Sequence, residues 1–282
     1  MGIREGFVDS DGVALHYLDW AGEGPPLVLI HATGFLAQLW RPIAEELSSR
    51  FRVVAVDQRG HGDSDKPPDG YRFEALADDL QRVIEALELE APVVAGHSSG
   101  GTTIVVHAAR HPDVIQRAVL IEPILPRADW STQPPGGRTS NSLADGARKR
   151  RAVWPSRDEL LETYRTRPTF ATWREDVLRL YVEEGTWMRE DGHVELKCPP
   201  EIEGQYFDAV RHVEPWEAVS QLRCPTLALW GAESHLHGRG LDAALQQALP
   251  NGRTEDVKGA THFLPQERPD EVARLMLEFF SD

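Results

Sequence analysis

The stretch that decides the fold is Pro92–Pro112, PVVAGHSSGGTTIVVHAARHP. It starts with a short apolar run, passes through Gly96-His97-Ser98-Ser99-Gly100, and continues into a segment rich in Ala, Val and Ile. The apolar run predicts a buried strand, and the later segment predicts a helix. A G-x-S-x-G motif between a strand and a helix indicates a sharp, strained turn that presents the serine as a nucleophile. Glycine on both sides lets the neighbouring chain pass close to Ser98.

Short apolar runs alternate with helical patterns on both sides of this stretch. Such alternation is typical of a mostly parallel sheet covered by helices on both faces. The predicted strands are Val13–Asp19, Leu27–Ile30, Val53–Asp57, Val93–Ala95, Ala118–Ile121, Thr226–Trp230 and Arg253–Val257. The predicted covering helices are Leu36–Leu47, Phe73–Leu87, Gly100–Arg110, Leu241–Ala248 and Glu267–Phe280. The sequence therefore predicts an α/β fold.

The alternation stops in the middle of the chain. Between residues 126 and 222, helical patterns such as Asp158–Arg165 and Thr172–Glu184 replace the strands of the main sheet. We interpret 126–222 as an inserted domain, and 1–125 together with 223–282 as the core domain.

Two parts of the insertion have a recognisable local pattern. Residues 126–151 are rich in Pro, Gly and Arg, a composition that favours a mobile loop. Asp191-Gly192 separates two extended runs and predicts a β-hairpin with a tight turn.

The composition is that of an ordinary globular chain, and the charge limits its partners. Of 282 residues, 41% are hydrophobic and 27% are charged. The formal net charge of −15 repels polyphosphates and anionic membranes, so we expect neither nucleic acid nor a membrane as partner. No apolar run approaches the roughly 18 residues of a membrane span, and the first residues lack a signal-peptide pattern. We expect a cytoplasmic protein.

The sequence contains no pattern for a metal or a cofactor. Cys198 and Cys224 lack the spacing of a zinc site, and we interpret them as reduced thiols. His235 and His237 lack a carboxylate at ligand spacing, which favours a solvated loop over a metal site. Because no P-loop or dinucleotide fingerprint is present either, we expect chemistry that requires only water.

Three further segments complete a pattern around the serine motif. They follow predicted strands in this order: Ile30–Phe35 (IHATGF), Asp57–Ser64 (DQRGHGDS) and Gly259–Pro265 (GATHFLP). With G-x-S-x-G, these segments resemble the α/β-hydrolase family over nearly all of the chain except the insertion. The resemblance implies a mostly parallel eight-stranded sheet with a helical cap inserted after strand six.

A serine hydroxyl is a poor nucleophile at neutral pH, so Ser98 requires a general base within hydrogen-bond reach. His262 follows the last predicted strand, in a loop from which an imidazole can turn back to Ser98, and it is our candidate base. His97 points away by strand alternation, while His31 and His61 match family positions that support loops.

Hydrolysis of an acyl group also requires donors for the developing oxyanion. The first predicted donor is the backbone N–H of Ser99, which follows the nucleophile. By resemblance, the second is the N–H of Thr33, since His31-Ala32-Thr33 occupies the place of the family's His-Gly-x. Because Ala32 replaces the family's glycine, the resemblance does not fix the path of this loop. Gly34 and Phe35 are the alternative residues for lining the site.

The third member of a triad holds the histidine in one tautomer and stabilises the imidazolium. The family's usual aspartate position, in Gly-x-x-Asp after strand seven, is Ser234 here. Glu122 follows strand six in apolar company, the place from which certain haloalkane dehalogenases and zearalenone-type lactonases take their acid. Glu233 is adjacent to the vacant position. We favour Glu122 and keep Glu233 as the alternative.

The insertion is rich in aromatic residues, and these suggest the substrate. It holds Trp130, Trp154, Trp173, Trp187, Trp216, Tyr164, Tyr181 and Tyr206. We expect at least half of them to form the core of the cap and the rest to line an apolar pocket. The family's dehalogenase and epoxide-hydrolase branches need an aspartate nucleophile, which Ser98 excludes.

The leading hypothesis is a cofactor-independent serine hydrolase that acts on hydrophobic or aromatic carboxylic esters or lactones through an acyl-enzyme. The alternatives are hydrolysis of amides or carbon–carbon bonds, cofactor-free perhydrolysis, and a ligand receptor with the same fold.

Overall fold

The computed structural model describes residues 2–126 and 142–281. The eight strands of its main sheet are β1 (Arg4–Ser10), β2 (Val13–Asp19), β3 (Pro26–Ile30), β4 (Arg52–Val56), β5 (Val93–His97), β6 (Arg117–Ile121), β10 (Thr226–Gly231) and β11 (Gly252–Val257). Their order in the sheet is β1-β2-β4-β3-β5-β6-β10-β11. Strand β2 is antiparallel to β1 and β4, and the other neighbouring strands are parallel. This is the predicted α/β-hydrolase sheet.

Helices cover both faces of this sheet. They are α1 (Arg41–Leu47), α2 (Phe73–Ala86), α3 (Ser99–Arg110), α9 (Leu241–Ala248), α10 (Leu264–Glu267) and α11 (Pro269–Ser281). Alternate residues of β3 point into opposite cores: Val28 and Ile30 pack in the cluster that includes Ile104 of α3, whereas Leu27 and Leu29 pack in the cluster of α1 and α11. Burial on both faces explains the continuous apolar runs of the parallel strands.

The cap follows β6 and contains both helices and strands. Its helices are α4 (Ser142–Arg148), α5 (Arg157–Arg165), α6 (Glu175–Glu184), α7 (Pro200–Ala209) and α8 (Pro215–Ser220). Its strands β7 (Val153–Trp154), β8 (Thr186–Met188) and β9 (Val194–Leu196) form a separate antiparallel sheet. The hairpin predicted at Asp191-Gly192 joins β8 to β9, and Gly192 adopts a φ of 82°.

Two expectations for local structure are corrected. The mobile loop predicted over 126–151 contains helix α4, whose Ala144 and Ala147 are buried; residues 127–141 lie outside the described residues. Strand β1 was not predicted, because it is an edge strand that pairs only with β2 and leaves most of its side chains exposed. Within the described ranges, no helix is long and apolar enough to cross a membrane.

Candidate active site

Ser98 lies on the sharp turn between β5 and α3. Its backbone has φ 54° and ψ −113°, an unfavourable conformation for a non-glycine residue, and its N–H donates to the Ile121 carbonyl at 2.8 Å. The flanking glycines are required sterically. A Cβ on Gly96 would lie 2.4 Å from the backbone of Gly100, and a Cβ on Gly100 would lie 2.3 Å from the Ile30 oxygen. The predicted strand, turn and helix are therefore present.

His262 reaches this serine from the loop between β11 and α10. Its Nε2 lies 3.2 Å from Ser98 Oγ, and its Nδ1 lies 3.1 Å from Glu122 Oε2. Burial lowers the pKa of the His262 imidazole to about 3, and the nearby His235 adds to this effect. A neutral imidazole that donates from Nδ1 to the carboxylate has Nε2 free to accept the Ser98 proton.

Glu122 is fully buried directly after β6. Its Oε1 accepts from the Gly231 N–H at 2.7 Å, and its Oε2 accepts from Ser234 Oγ at 2.7 Å. The Leu236 N–H donates to Ser234 Oγ at 3.1 Å, which turns the hydroxyl proton towards Glu122. Burial raises the pKa of the Glu122 carboxyl to about 7, against the effect of these hydrogen bonds.

Glu233, the alternative acid, lies elsewhere. Its side chain is exposed, and its backbone N–H donates to the Ala260 carbonyl at 3.0 Å. Among the residues that the structure describes, its carboxylate has no hydrogen-bond or ion-pair partner. The structure thus brings Glu122, and not Glu233, to His262. Sequence reasoning missed Ser234, whose only signal was its occupation of the family's aspartate position.

The two predicted oxyanion donors have free backbone N–H groups. Neither Thr33 N–H nor Ser99 N–H has a hydrogen-bond partner within the described part of the chain, and Ser99 is the first residue of α3. By contrast, the Gly34 N–H donates to His61 Nε2 at 2.9 Å, and the Phe35 N–H donates to the Ala32 carbonyl at 3.1 Å.

The histidines assigned to loop support have that role. His31 contacts the Ala32 carbonyl through Nδ1 at 2.7 Å and accepts from the Gln58 N–H at 3.0 Å, while His61 accepts from Gly34. His97 contacts the His262 carbonyl at 2.8 Å, not Ser98.

Aromatic side chains of the core and the cap pack together beside His262. The ring of Phe35 lies 6.1 Å from those of His97 and Phe263, and 5.2 Å from that of Trp173 in the cap. Trp154 and Tyr164 belong to the interior of the cap, whereas Trp187 is exposed at 39%. Trp216 packs against the main core, Tyr206 is buried beside His61, and Trp130 lies outside the described residues.

A group of potential metal ligands lies away from this serine. Ligand atoms of His16, Asp57 and Asp63 come within 4.8 Å of one another. The Asp57 carboxylate already accepts from the Ala37 and Asp63 N–H groups at 2.6 and 3.0 Å and contacts His16 at 2.8 Å, while Asp63 pairs with Lys197. These contacts give Asp57 a structural role in the loop after β4.

Comparisons with known proteins identify the family to which this fold belongs. The sequence profile described as "alpha/beta hydrolase fold" matches residues 25–269. The chain belongs to the α/β-hydrolase family. AB hydrolase superfamily protein YfhM of Bacillus subtilis (strain 168) is 28% identical over 295 residues, covering 100% of this chain and 99% of the relative. The soluble epoxide hydrolase of Corynebacterium sp. (strain C12) is 28% identical over 281 residues, covering 96% and 95%.

A third relative matches this α/β-hydrolase over a shorter stretch. The 2-(acetamidomethylene)succinate hydrolase of Mesorhizobium japonicum is 39% identical over 101 residues, which is 36% of each chain. The crystal structure of E-2-(acetamidomethylene)succinate hydrolase has a TM-score of 0.85 at 24% identity and covers 100% of both chains. At that identity, the structural likeness shows a shared fold.

Proposed function

We propose that this protein is a cofactor-independent serine hydrolase that cleaves carboxylic esters or lactones through an acyl-enzyme on Ser98. The observation that carries the proposal is the continuous contact from Ser98 Oγ through His262 to Glu122, with distances of 3.2 and 3.1 Å. Nucleophile, base and orienting acid at such distances constitute the arrangement required for acyl transfer.

The reaction follows from this arrangement in two steps. Ser98 Oγ attacks the carbonyl carbon while His262 Nε2 takes its proton, and the Thr33 and Ser99 N–H groups stabilise the oxyanion. His262 then gives the proton to the leaving alcohol, or to the ring-opened hydroxyl of a lactone. In the second step, water attacks the acyl carbon while His262 takes one of its protons, and His262 then returns this proton to Ser98 Oγ as the carboxylic acid product leaves. Glu122 stabilises the imidazolium in both steps.

The surroundings of the serine favour a neutral, apolar substrate. Phe263 packs against His262, and Phe35 of the core and Trp173 of the cap pack against Phe263. Serine also defines the reaction class, because an acyl-serine is opened by water at its carbonyl carbon. An alkyl-serine ether has no such carbon, which excludes the alkyl-enzyme route.

The test is a panel of p-nitrophenyl esters of increasing acyl length, aromatic esters, lactones and matched amides. The amides enter because one relative carries an acetamido compound in its name. We expect repeated turnover of esters or lactones. Turnover of amides alone would replace the ester proposal, and release of one product equivalent without further turnover would indicate a ligand receptor.

Ser98→Ala is the decisive variant. We expect loss of nearly all hydrolysis with an unchanged circular dichroism spectrum, and a fluorophosphonate adduct on Ser98 in the wild type. Ser220→Ala, at a surface serine whose Oγ donates to the Glu217 carbonyl, serves as the control and should keep both activity and labelling. Hydrolysis by Ser98→Ala within tenfold of the wild type, or an adduct on another serine, would overturn the assignment.

A further inference from the structure

The cap contacts the oxyanion loop through one buried hydroxyl. Tyr181, on α6, donates from its side-chain oxygen to the Gly34 carbonyl at 2.8 Å. Tyr181 is 6% exposed, and Gly34 follows Thr33, the proposed oxyanion donor. This hydrogen bond joins the insertion to the part of the core that stabilises the transition state.

The core holds the same glycine from its other side. The Gly34 N–H donates to His61 Nε2 at 2.9 Å, and His61 Nδ1 contacts the Arg59 carbonyl at 3.2 Å. Burial keeps the pKa of His61 well below its ordinary value. The ring is therefore neutral, with its proton on Nδ1 and its Nε2 available as acceptor. Gly34 is fixed through its N–H by the core and through its carbonyl by the cap.

The turn geometry connects this contact to the Thr33 N–H. The Phe35 N–H donates to the Ala32 carbonyl, and Gly34 has a φ of 81°, as the third residue of a type II turn requires. Thr33 is the second residue of this four-residue turn. Since the turn moves as a unit, the hydrogen bonds at Gly34 determine where the Thr33 N–H points.

A partly buried cation, Arg150, directs the Tyr181 hydroxyl towards the loop. Arg150 Nη2 donates to Tyr164 Oη at 3.1 Å and to Tyr181 Oη at 3.5 Å, and Arg150 is paired with Glu203. Because Tyr181 Oη accepts from Arg150, its single proton is directed to the Gly34 carbonyl. Tyr164 shares this environment, but among the described residues its hydroxyl makes no hydrogen bond to the core.

We propose that Tyr181 is a positioning residue that completes the oxyanion hole when the cap docks on the core. The inference rests on the proposed hydrolase function and extends it: the cap contributes to the chemical step as well as to the pocket. Substrate binding and the chemical step are then separable, since the hydroxyl acts on the transition state through Gly34 and Thr33.

The test compares Tyr181→Phe with the matched control Tyr164→Phe, on an ester that the wild type hydrolyses. Removing a direct oxyanion donor costs about 10²- to 10³-fold in kcat. Tyr181→Phe loosens the Thr33 N–H donor without removing it, so we expect kcat to fall about tenfold and KM to stay within twofold of the wild-type value. Tyr164→Phe should keep kcat within twofold. Equal kcat values for the two variants would overturn the inference.

A second measurement separates positioning from general destabilisation. A phenylboronic acid that forms a tetrahedral adduct on Ser98 should bind about tenfold more weakly to Tyr181→Phe, whereas the carboxylic acid product should bind equally. Both variants remove one buried hydroxyl beside Arg150, so thermal unfolding should shift similarly. Equal weakening for both ligands would indicate a damaged pocket and contradict the inference.

The wild type distinguishes the two proposals. Absence of both turnover and fluorophosphonate labelling would refute the hydrolase function, and the role of Tyr181 with it. An active wild type with an unaffected Tyr181→Phe would refute only the positioning role.

Discussion

The Glu122 carboxylate has no exposed surface, and an ion in that position is costly unless its oxygens are hydrogen-bonded. It lies within hydrogen-bond distance of three donors: the Gly231 N–H, Ser234 Oγ and His262 Nδ1. Two of these belong to β10 and its following loop, and the third is the proposed base. These contacts offset the cost of burying the charge, and they also orient the carboxylate towards the imidazole.

Replacing the two candidate acids separately tests this assignment. Glu122→Gln preserves the side-chain shape but neither stabilises an imidazolium nor secures the right tautomer, a change that costs about 10⁴ in kcat in a comparable triad. We expect a loss of similar order in ester hydrolysis. The kcat of Glu233→Gln should stay within twofold of the wild-type value, since the Glu233 carboxylate is exposed. Circular dichroism verifies folding, and an inactive Glu233→Gln beside an active Glu122→Gln would reverse the assignment.

The pH dependence of kcat/KM provides another test at this scale. The active form has an ionised Glu122 and a neutral His262. Burial lowers the pKa of His262 to about 3 but raises that of Glu122 to about 7, so activity should fall as the pH drops through about 7. The midpoint belongs to the coupled pair of groups. We expect a plateau above this midpoint in rates measured from pH 4 to 9.

Ser234→Ala shows which group sets this midpoint. The Ser234 hydroxyl stabilises the ionised carboxylate and so lowers the pKa of Glu122. Without it, the fall in activity should move to higher pH. A midpoint that stays in place or moves to lower pH would contradict control by Glu122.

Sequence reasoning could group the candidate residues because each follows a strand of a sheet that was predicted to be mostly parallel. Strand ends meet at one edge, so Ser98, His262 and Glu122 were expected together. The contact of Ser234 with Glu122 joins loops 112 residues apart, and it depends on the path of each loop. Tyr181 was counted among aromatic residues, but no local pattern indicates that its hydroxyl contacts Gly34.

At the scale of elements, the close approach of α3 to β3 holds the nucleophile turn in place. The Ile30 carbonyl oxygen lies only 2.3 Å from the position that a Cβ on Gly100 would take. We expect Gly100→Ala to destabilise the protein by about 1 to 3 kcal/mol or more, because the backbone of β3 cannot retreat within a packed sheet. The measurement is the midpoint of urea unfolding with the free energy extrapolated to water.

Gly146→Ala is the matched control, since Gly146 is exposed on α4 and its added Cβ would meet no atom of the described residues within 4 Å. Replacing a glycine within a helix by alanine raises the free energy of unfolding by about 0.5 to 1 kcal/mol. Equal changes in the free energy of unfolding for the two variants would contradict the described packing. A Gly100→Ala variant as stable as the wild type would refute it.

Most of the elements that sequence reasoning identified are buried on both faces or strongly amphipathic; the edge strand β11, which is largely half-exposed, is an exception. Strands β3 to β6 have nearly continuous burial, whereas β1 has alternating exposed residues and the short cap strands have two or three residues each. Such short strands are stabilised by their partners, and the pairing of β7 with β9 cannot be read from either segment alone.

At the scale of the whole molecule, the net charge of −15 acts on the approach of substrates. A negative field repels an anionic ester, and salt screens this repulsion over about 8 to 10 Å. We expect kcat/KM for a dicarboxylate ester to rise about twofold or more between 20 and 300 mM salt. A neutral ester of the same size is the control and should change little; a fall in kcat/KM for the anionic ester would indicate a local cationic subsite that outweighs the net charge.

The contact between Glu122 and Ser234 also has an evolutionary consequence. The imidazole requires a carboxylate at one position, whichever loop supplies it. The loops after β6 and β10 converge on that position at the edge of the sheet. A lineage can therefore transfer the acid from one loop to the other through an ancestor that carried both carboxyl groups. One of the two would be protonated, because adjacent carboxylates repel each other. Under the proposed mechanism, an acid would lie beside His262 at each step, so such an exchange of loops would not require an inactive ancestor.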